Sequence, residues 1–164
     1  MSEEPNESKI PAHLESLKKA VHNMRIADHM LYVTYPVIKD KRLLLKTLDQ
    51  VYNSIIFTIN SILQFDRLNK RITLASTAHE NFDAFISKCV NRYNITQEEV
   101  ATLKELLYLT ENHRESALEF PRKEKIVIMS DALKTMVIDS ERLKKYLNLA
   151  KSLVNKAKFG MSIA

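Results

Sequence analysis

The chain has 164 residues, of which 45% are hydrophobic and 27% are charged, a composition typical of one folded globular domain. One glycine and four prolines argue against a turn-rich β fold, and the single cysteine, Cys89, excludes an internal disulfide and a cysteine-rich zinc module. The formal net charge of +5 favours nucleic acid, an anionic membrane surface or an acidic protein as a partner, without choosing among them.

The start of the chain bears on location and on domain organisation. Residues 1–7 contain glutamates but no basic residue, so they lack the basic and apolar parts of a signal peptide. No run of about 18 apolar residues occurs, so we expect no transmembrane helix, no membrane partner and a cytoplasmic protein. Residues 1–10 are predicted to form a mobile acidic tail, and residues 11–164 a single helical domain.

The first predicted helix runs from about Pro11, which suits a first helical turn, to Tyr35, where Pro36 disfavours continuation. At about 100° per residue, one face of this helix is apolar. The residues of this face are Leu14, Leu17, Val21, Met24, Leu31 and Tyr35. A second apolar sector consists of Ile26, Met30 and Val33. We therefore predict that the second half of the helix is buried on more than one side, at the centre of a bundle.

A polar stripe of His22, Arg25, Asp28, His29 and Tyr32 separates the two apolar sectors. Because an isolated carboxylate is costly to bury, we expect Asp28 to have a partner. One interpretation is a structural network, in which Arg25 or a polar group of a neighbouring helix satisfies Asp28. The other is a site that binds phosphate or a metal, or that moves a proton through the two histidines.

We assign no catalytic residue, no metal site and no cofactor. The chain has neither the paired Glu-x-x-His motifs of a di-iron bundle nor a His-Glu-x-x-His zinc signature, and its single glycine argues against a phosphate-cradling loop. If the protein is a hydrolase, its chemistry is expected to depend on His22, Arg25, Asp28 and His29.

Three more helices are predicted before residue 121. Asp40 is the expected N-cap of helix 2, whose middle, residues 51–65, is apolar on most sides and is a second candidate for the bundle centre. The end of helix 2 carries Arg67, Lys70 and Arg71, a charge that is favourable at a helix C-terminus and that we interpret as a solvated end. Capping boxes open helices 3 and 4, namely Thr77 with Glu80 and Thr96 with Glu99.

The pattern changes period after Pro121. Residues 125–129 and 135–138 are short β-branched runs, which predict a small β-hairpin lying on the bundle. Asp139 or Ser140 then caps helix 5, and Gly160 is placed to end it. The predicted fold is therefore all-α, a five-helix bundle with a small β-hairpin between helices 4 and 5.

Helix 5 is strongly basic, and its exterior is either a solvated face or a surface that tracks the phosphates of RNA or DNA. The candidate nucleic-acid-binding residues are Arg142, Lys144, Lys145 and Lys151 of helix 5, with Arg122, Lys123 and Lys125 at the hairpin entrance. Aromatic side chains for base stacking are few, since only Tyr146 and Phe159 lie nearby in the sequence.

Three segments, residues 27–36, 39–45 and 119–125, resemble those of a family of small archaeal helical proteins of unknown function. That resemblance implies no activity. The chain is also loosely similar to the HEPN superfamily, helical bundles that often dimerise and include ribonucleases. Those nucleases use an arginine followed, after four to six residues, by a histidine. Here only three residues separate Arg25 from His29, and this departure argues against nuclease activity.

Together these patterns favour a non-enzymatic helical binding module that self-associates, because two heavily apolar helices occur in a short chain. RNA or DNA binding through the basic face of helix 5 is the first alternative. A HEPN-like nuclease or another hydrolase centred on helix 1 is the second.

Overall fold

The computed structural model describes residues 10–115, 118–122, 125–129 and 135–163, and it confirms the five-helix, all-α prediction. Helix α1 spans residues 12–38 and comprises Ala12–His29, a π-helical turn Met30–Thr34 and Tyr35–Ile38. The other helices are α2 (Arg42–Leu68), α3 (residues 78–89, comprising Ala78–Ala84 and the π-helical Phe85–Cys89), α4 (Gln97–Glu115) and α5 (Ser140–Gly160). The strands are β1 (Leu118–Arg122), β2 (Lys125–Met129) and β3 (Thr135–Ile138).

The predicted hairpin between α4 and α5 is confirmed as the antiparallel pair β2–β3, in which Ile126 lies opposite Ile138. Both side chains are buried, so this pair packs on the bundle. Strand β1 was not predicted, and it pairs with β2 on its other side in the order β1-β2-β3. Pro121 lies in β1, and a proline is tolerated there because β1 is an edge strand.

Helix α1 continues through Pro36 to Ile38, so the predicted end at Tyr35 was wrong. Proline has no N–H, and its ring clashes with the carbonyl four residues earlier in an α-helix. The π-helical turn comes immediately before it, and the N–H of Tyr35 donates to the carbonyl of Met30, five residues back. This wider turn accommodates Pro36, and the helix ends at Lys39, whose φ is 55°.

Helix α2 lies at the centre of the bundle, as predicted, and packs against α1, α3, α4 and α5. Its buried residues occupy several faces, and they include small hydroxyl side chains as well as leucine, isoleucine and valine. Ser54 donates to the carbonyl of Ala20 (2.8 Å), and Ser61 donates to that of His13 (2.6 Å). These small residues allow α1 and α2 to approach closely while their buried polar groups stay bonded.

The predicted N-caps of α3, α4 and α5 are confirmed. Thr96 and Glu99 form a reciprocal capping box, with both hydrogen bonds at 3.1 Å. Asp139 accepts the backbone N–H of Arg142 at 2.8 Å. Thr77 caps α3 and accepts the N–H of Glu80. Asp40 accepts the N–H of Arg42, but the N-cap of α2 is Lys41, so the prediction of Asp40 as that N-cap was wrong by one residue.

Gly160 ends α5 as predicted, but without adopting a positive φ. A Cβ at this position would overlap the ring of Tyr93, so the absence of a side chain lets α5 pack against that ring. The left-handed conformation at this helix end is adopted instead by Ser162, with a φ of 56°.

Candidate functional site

The second apolar sector of α1 lies on the outside of the bundle. Val33 is 52% exposed and Val37 is 80% exposed, while Ile26 and Met30 are partly buried beside them. We call Ile26, Met30, Val33 and Val37 the outer stripe. The prediction that the second half of α1 is buried on more than one side was therefore wrong, because α2 and α5 cover only its other face.

The π-helical turn contributes to the position of the outer stripe. A π-helical turn contains one residue more than an α-helical turn, so the side chains that follow it are rotated about the helix axis. Val37, and beside it Ile38 with 61% exposure, come after this turn. A regular α-helical period does not contain this rotation. The result is an apolar surface next to Pro36 that no described part of the chain covers.

The polar stripe of α1 is mostly in solvent, since His22, Arg25 and His29 are exposed. Asp28 has a partner as expected, and of the two kinds of partner considered it is the one on a neighbouring helix, Lys151 of α5 at 2.5 Å. Both side chains of that pair are about 40% exposed, so the pair contributes little to stability. This ion pair fits the interpretation of the polar stripe as a structural network. The catalytic interpretation of these residues stays a prediction.

The two histidines of the polar stripe do not converge on a common partner within the described residues. The Nδ1 atom of His29 lies 3.3 Å from the hydroxyl of Thr34, one turn further along α1. Across the described ranges, no group of three or more His, Cys, Asp or Glu side chains is placed to hold a metal ion. Nor is any helix in those ranges long and apolar enough to cross a membrane.

The four candidate nucleic-acid residues of α5 are each bonded to a carboxylate. The pairs are Arg142 with Glu105 (2.7 Å), Lys145 with Glu105 (3.4 Å), Lys144 with Glu141 (3.1 Å) and Lys151 with Asp28 (2.5 Å). Of the hairpin-entrance candidates, Lys125 is exposed at the start of β2, Lys123 lies outside the described residues, and for Arg122 only the backbone in β1 is described. The basic face of α5 is thus largely neutralised by carboxylates of its own chain.

Glu105 of α4 forms the largest of these networks, which the sequence analysis missed. Besides Arg142 and Lys145, it accepts a hydrogen bond from the hydroxyl of Tyr146 at 2.8 Å. Burial, followed by this bond, raises the pKa of Tyr146. Burial alone would raise the pKa of Glu105, but the hydrogen bonds from Arg142 and Tyr146 keep it below its usual value. Arg142 also donates to the carbonyl of Val137 (2.9 Å), so the network joins α4, α5 and β3.

Asp66 is a second missed residue, and its side chain is fully buried near the end of α2. Four side chains contact its carboxylate: Arg71 (3.2 Å), Arg92 (2.5 Å), Tyr93 (2.9 Å) and Cys89 (3.3 Å). A signal for it was present, because Asp66 follows Ile59 and Ile62 at helical spacing and so falls on an apolar face of α2. This network fixes the C-terminal end of α2 to α3.

No protein-family model, curated protein or solved structure matches this chain significantly. The class of protein that the structure defines is therefore that of its fold, an all-α bundle of five helices with a small antiparallel sheet. The resemblances to the archaeal family and to HEPN bundles stay predictions.

Proposed function

We propose that this protein is a non-enzymatic helical binding module that self-associates through the outer stripe of α1. The observation that carries the proposal is the exposure of Val33 and Val37 on one helix, next to Ile38. Contiguous exposed apolar side chains of this kind mark interaction surfaces, because water is excluded from them only when a partner packs on them. Tyr32, which is 46% exposed, adds an amphipathic ring beside the stripe.

A second copy of the chain is the occupant that fits this surface. Two-fold dimers are the commonest soluble assemblies, and they require one patch that complements itself. The outer stripe meets this condition because its four side chains are uncharged, so that two copies bring no like charges together there. In an antiparallel pair, the basic turn that contains Lys39 and Lys41 lies at opposite ends of the two helices. Repulsion between those turns is then small.

Sedimentation velocity over a range of protein concentrations tests the proposal. We expect the wild-type chain to dimerise and Val33→Glu combined with Val37→Glu to remain monomeric, because the dimer would have to bury four uncompensated carboxylates. The matched control is Phe159→Glu, a substitution at a side chain of α5 that is 81% exposed, which should leave the dimer intact. A wild-type chain that stays monomeric at its highest soluble concentration would overturn the proposal.

The two alternatives are less well supported. Nucleic-acid binding through α5 would require cations that are free to contact phosphate, whereas the four candidate cations of α5 are each paired with a carboxylate of the chain. Hydrolase chemistry on α1 would require acid–base groups that converge, whereas the bonded partners described there are Lys151 for Asp28 and Thr34 for His29. Both alternatives remain predictions.

A further inference from the structure

A different set of cations lies at the corner where α2 ends and the chain turns toward α3. An open pocket of about 640 Å³ is found there, a volume within the range of small-molecule sites. Four cationic side chains, those of Arg67, Lys70, Arg71 and Lys88, line it together with Thr73. No carboxylate is among its lining residues in the described part of the chain. We call this the corner pocket.

The charge of the corner pocket is largely uncompensated. Arg71 is held at 3.2 Å by the buried Asp66, whereas Arg67, Lys70 and Lys88 have no carboxylate partner among the described residues. Asp66 also contacts Arg92, so five positive charges against this one carboxylate leave a formal excess of four. Like charges lining one pocket repel each other, and a bound anion would relieve that repulsion.

The backbone of the corner adds a second observation. Lys70 has a φ of 58°, in the left-handed region, and its N–H donates to the carbonyl of Arg67 at 3.0 Å. The N–H of Arg71 donates to the carbonyl of Asp66 at 2.9 Å, which completes a Schellman-type helix end. Glycine is favoured at the left-handed position because it has no Cβ. Lysine at this position therefore carries a local conformational cost, as Lys39, Asn94 and Ser162 do at the other left-handed positions of the described residues, and its side chain lines the pocket.

An adjoining pocket of about 500 Å³ shares Arg67 and Lys70 with the corner pocket. Its remaining walls are uncharged and include His13, Gln64 and Leu68. Burial lowers the pKa of His13, so this imidazole is neutral near pH 7. A cationic pocket and an uncharged pocket therefore lie side by side, and Arg67 and Lys70 line both.

We propose that the corner pocket binds the phosphates of a nucleoside triphosphate, with the nucleoside in the adjoining pocket. A triphosphate carries about four negative charges near neutral pH, which the four cations of the corner match. The Asp66 carboxylate fixes one guanidinium, Arg71, in advance, and arginine recognises phosphate through paired N–H donors. The site does not involve the outer stripe and is independent of self-association.

Isothermal titration calorimetry with ATP and with inorganic tripolyphosphate tests this site on the full chain. Both ligands should bind and compete, and ATP should bind more tightly because its nucleoside contacts the adjoining pocket. Lys70→Gln combined with Lys88→Gln should weaken both by about tenfold or more, since two charge-assisted contacts are lost. The matched control, Lys18→Gln with Lys104→Gln, removes the same charge from exposed lysines elsewhere and should change the affinity by less than about twofold.

A second variant separates binding from folding. Lys70→Gly removes the same cation but relieves the left-handed conformation at that residue. We expect its melting temperature to rise while its affinity for tripolyphosphate falls. A fall in melting temperature would contradict the conformational cost assigned to Lys70.

Three results would overturn the proposal. The first is that the wild-type chain binds neither ligand at millimolar concentration, and the second is that pocket and control variants lose affinity equally. The third is that single-stranded RNA binds, loses affinity in the Lys70/Lys88 variant and is not displaced by ATP, which would assign these cations to a nucleic-acid backbone. Equal affinities for ATP and tripolyphosphate would show that the nucleoside does not contact the adjoining pocket.

Discussion

Two cation-rich regions of this molecule, the exterior of α5 and the corner after α2, differ in where their compensating charges come from. On α5, each of Arg142, Lys144, Lys145 and Lys151 contacts a carboxylate, and only Glu141 belongs to the same helix. At the corner, one buried carboxylate serves Arg71 and Arg92, and the other lining cations of the pocket have no such partner in the described residues. The density of lysine and arginine along a helix therefore does not report the charge available to a ligand.

The largest test of this comparison is Asp66→Asn. The Asp66 side chain is fully buried and accepts hydrogen bonds from four side chains, and an asparagine there would turn an NH2 group toward some of these donors. We therefore expect the free energy of unfolding to fall by roughly 3–5 kcal/mol. Urea unfolding measures this loss. The control is Asp28→Asn, which breaks a half-exposed pair with Lys151 and should cost at most about 1 kcal/mol. Similar losses for both variants would show that burial does not distinguish the two regions.

Glu105→Gln is expected to have an intermediate effect. It weakens the hydrogen bonds from Arg142 and Tyr146, which should cost about 1–3 kcal/mol at neutral pH. Because the pKa of Glu105 is lowered on folding, its stabilisation is present above its usual pKa of 4.5 and is lost as the pH falls through the lowered value. The difference in stability between wild type and variant should therefore shrink on acidification. A pH-independent difference would mean that the charge of Glu105 is not responsible.

The smallest effect is expected from Lys144→Gln. The partner of Lys144 is Glu141, one turn away on α5 and 80% exposed, so the pair should contribute less than about 0.5 kcal/mol. A double-mutant cycle with Glu141→Gln isolates the interaction from other effects of each substitution. A coupling energy above about 1 kcal/mol would show that even the exposed pairs of α5 are structural.

The parts of the fold that were predicted correctly depend on neighbours in the sequence. The Thr96–Glu99 capping box and the Asp139 cap each need only residues up to three positions apart, and both formed as expected. The β2–β3 hairpin is similarly local. The apolar residues of α2 also predicted its central position, because a helix that is buried on several faces has apolar residues on most of its sides.

The parts that were missed depend on long-range contacts or on a change of helical period. The partners of Asp66 include Cys89 and Tyr93, which lie 23 and 27 residues further along the chain. Lys151 meets Asp28 across 123 residues. No spacing rule connects such positions in a single sequence. The π-helical turn before Pro36 likewise altered the faces of α1 in a way that an α-helical projection cannot represent.

The reactivity of Cys89 can be used to measure how often the structure opens where α2 meets α3. Its thiol is buried and donates to Asp66, and burial together with that bond raises its pKa to about 12. Thiol reagents attack the thiolate, so modification of the folded chain has to wait until this corner opens. Because the chain contains no other cysteine, the modification rate is a readout of that single opening event, obtained without any engineered label.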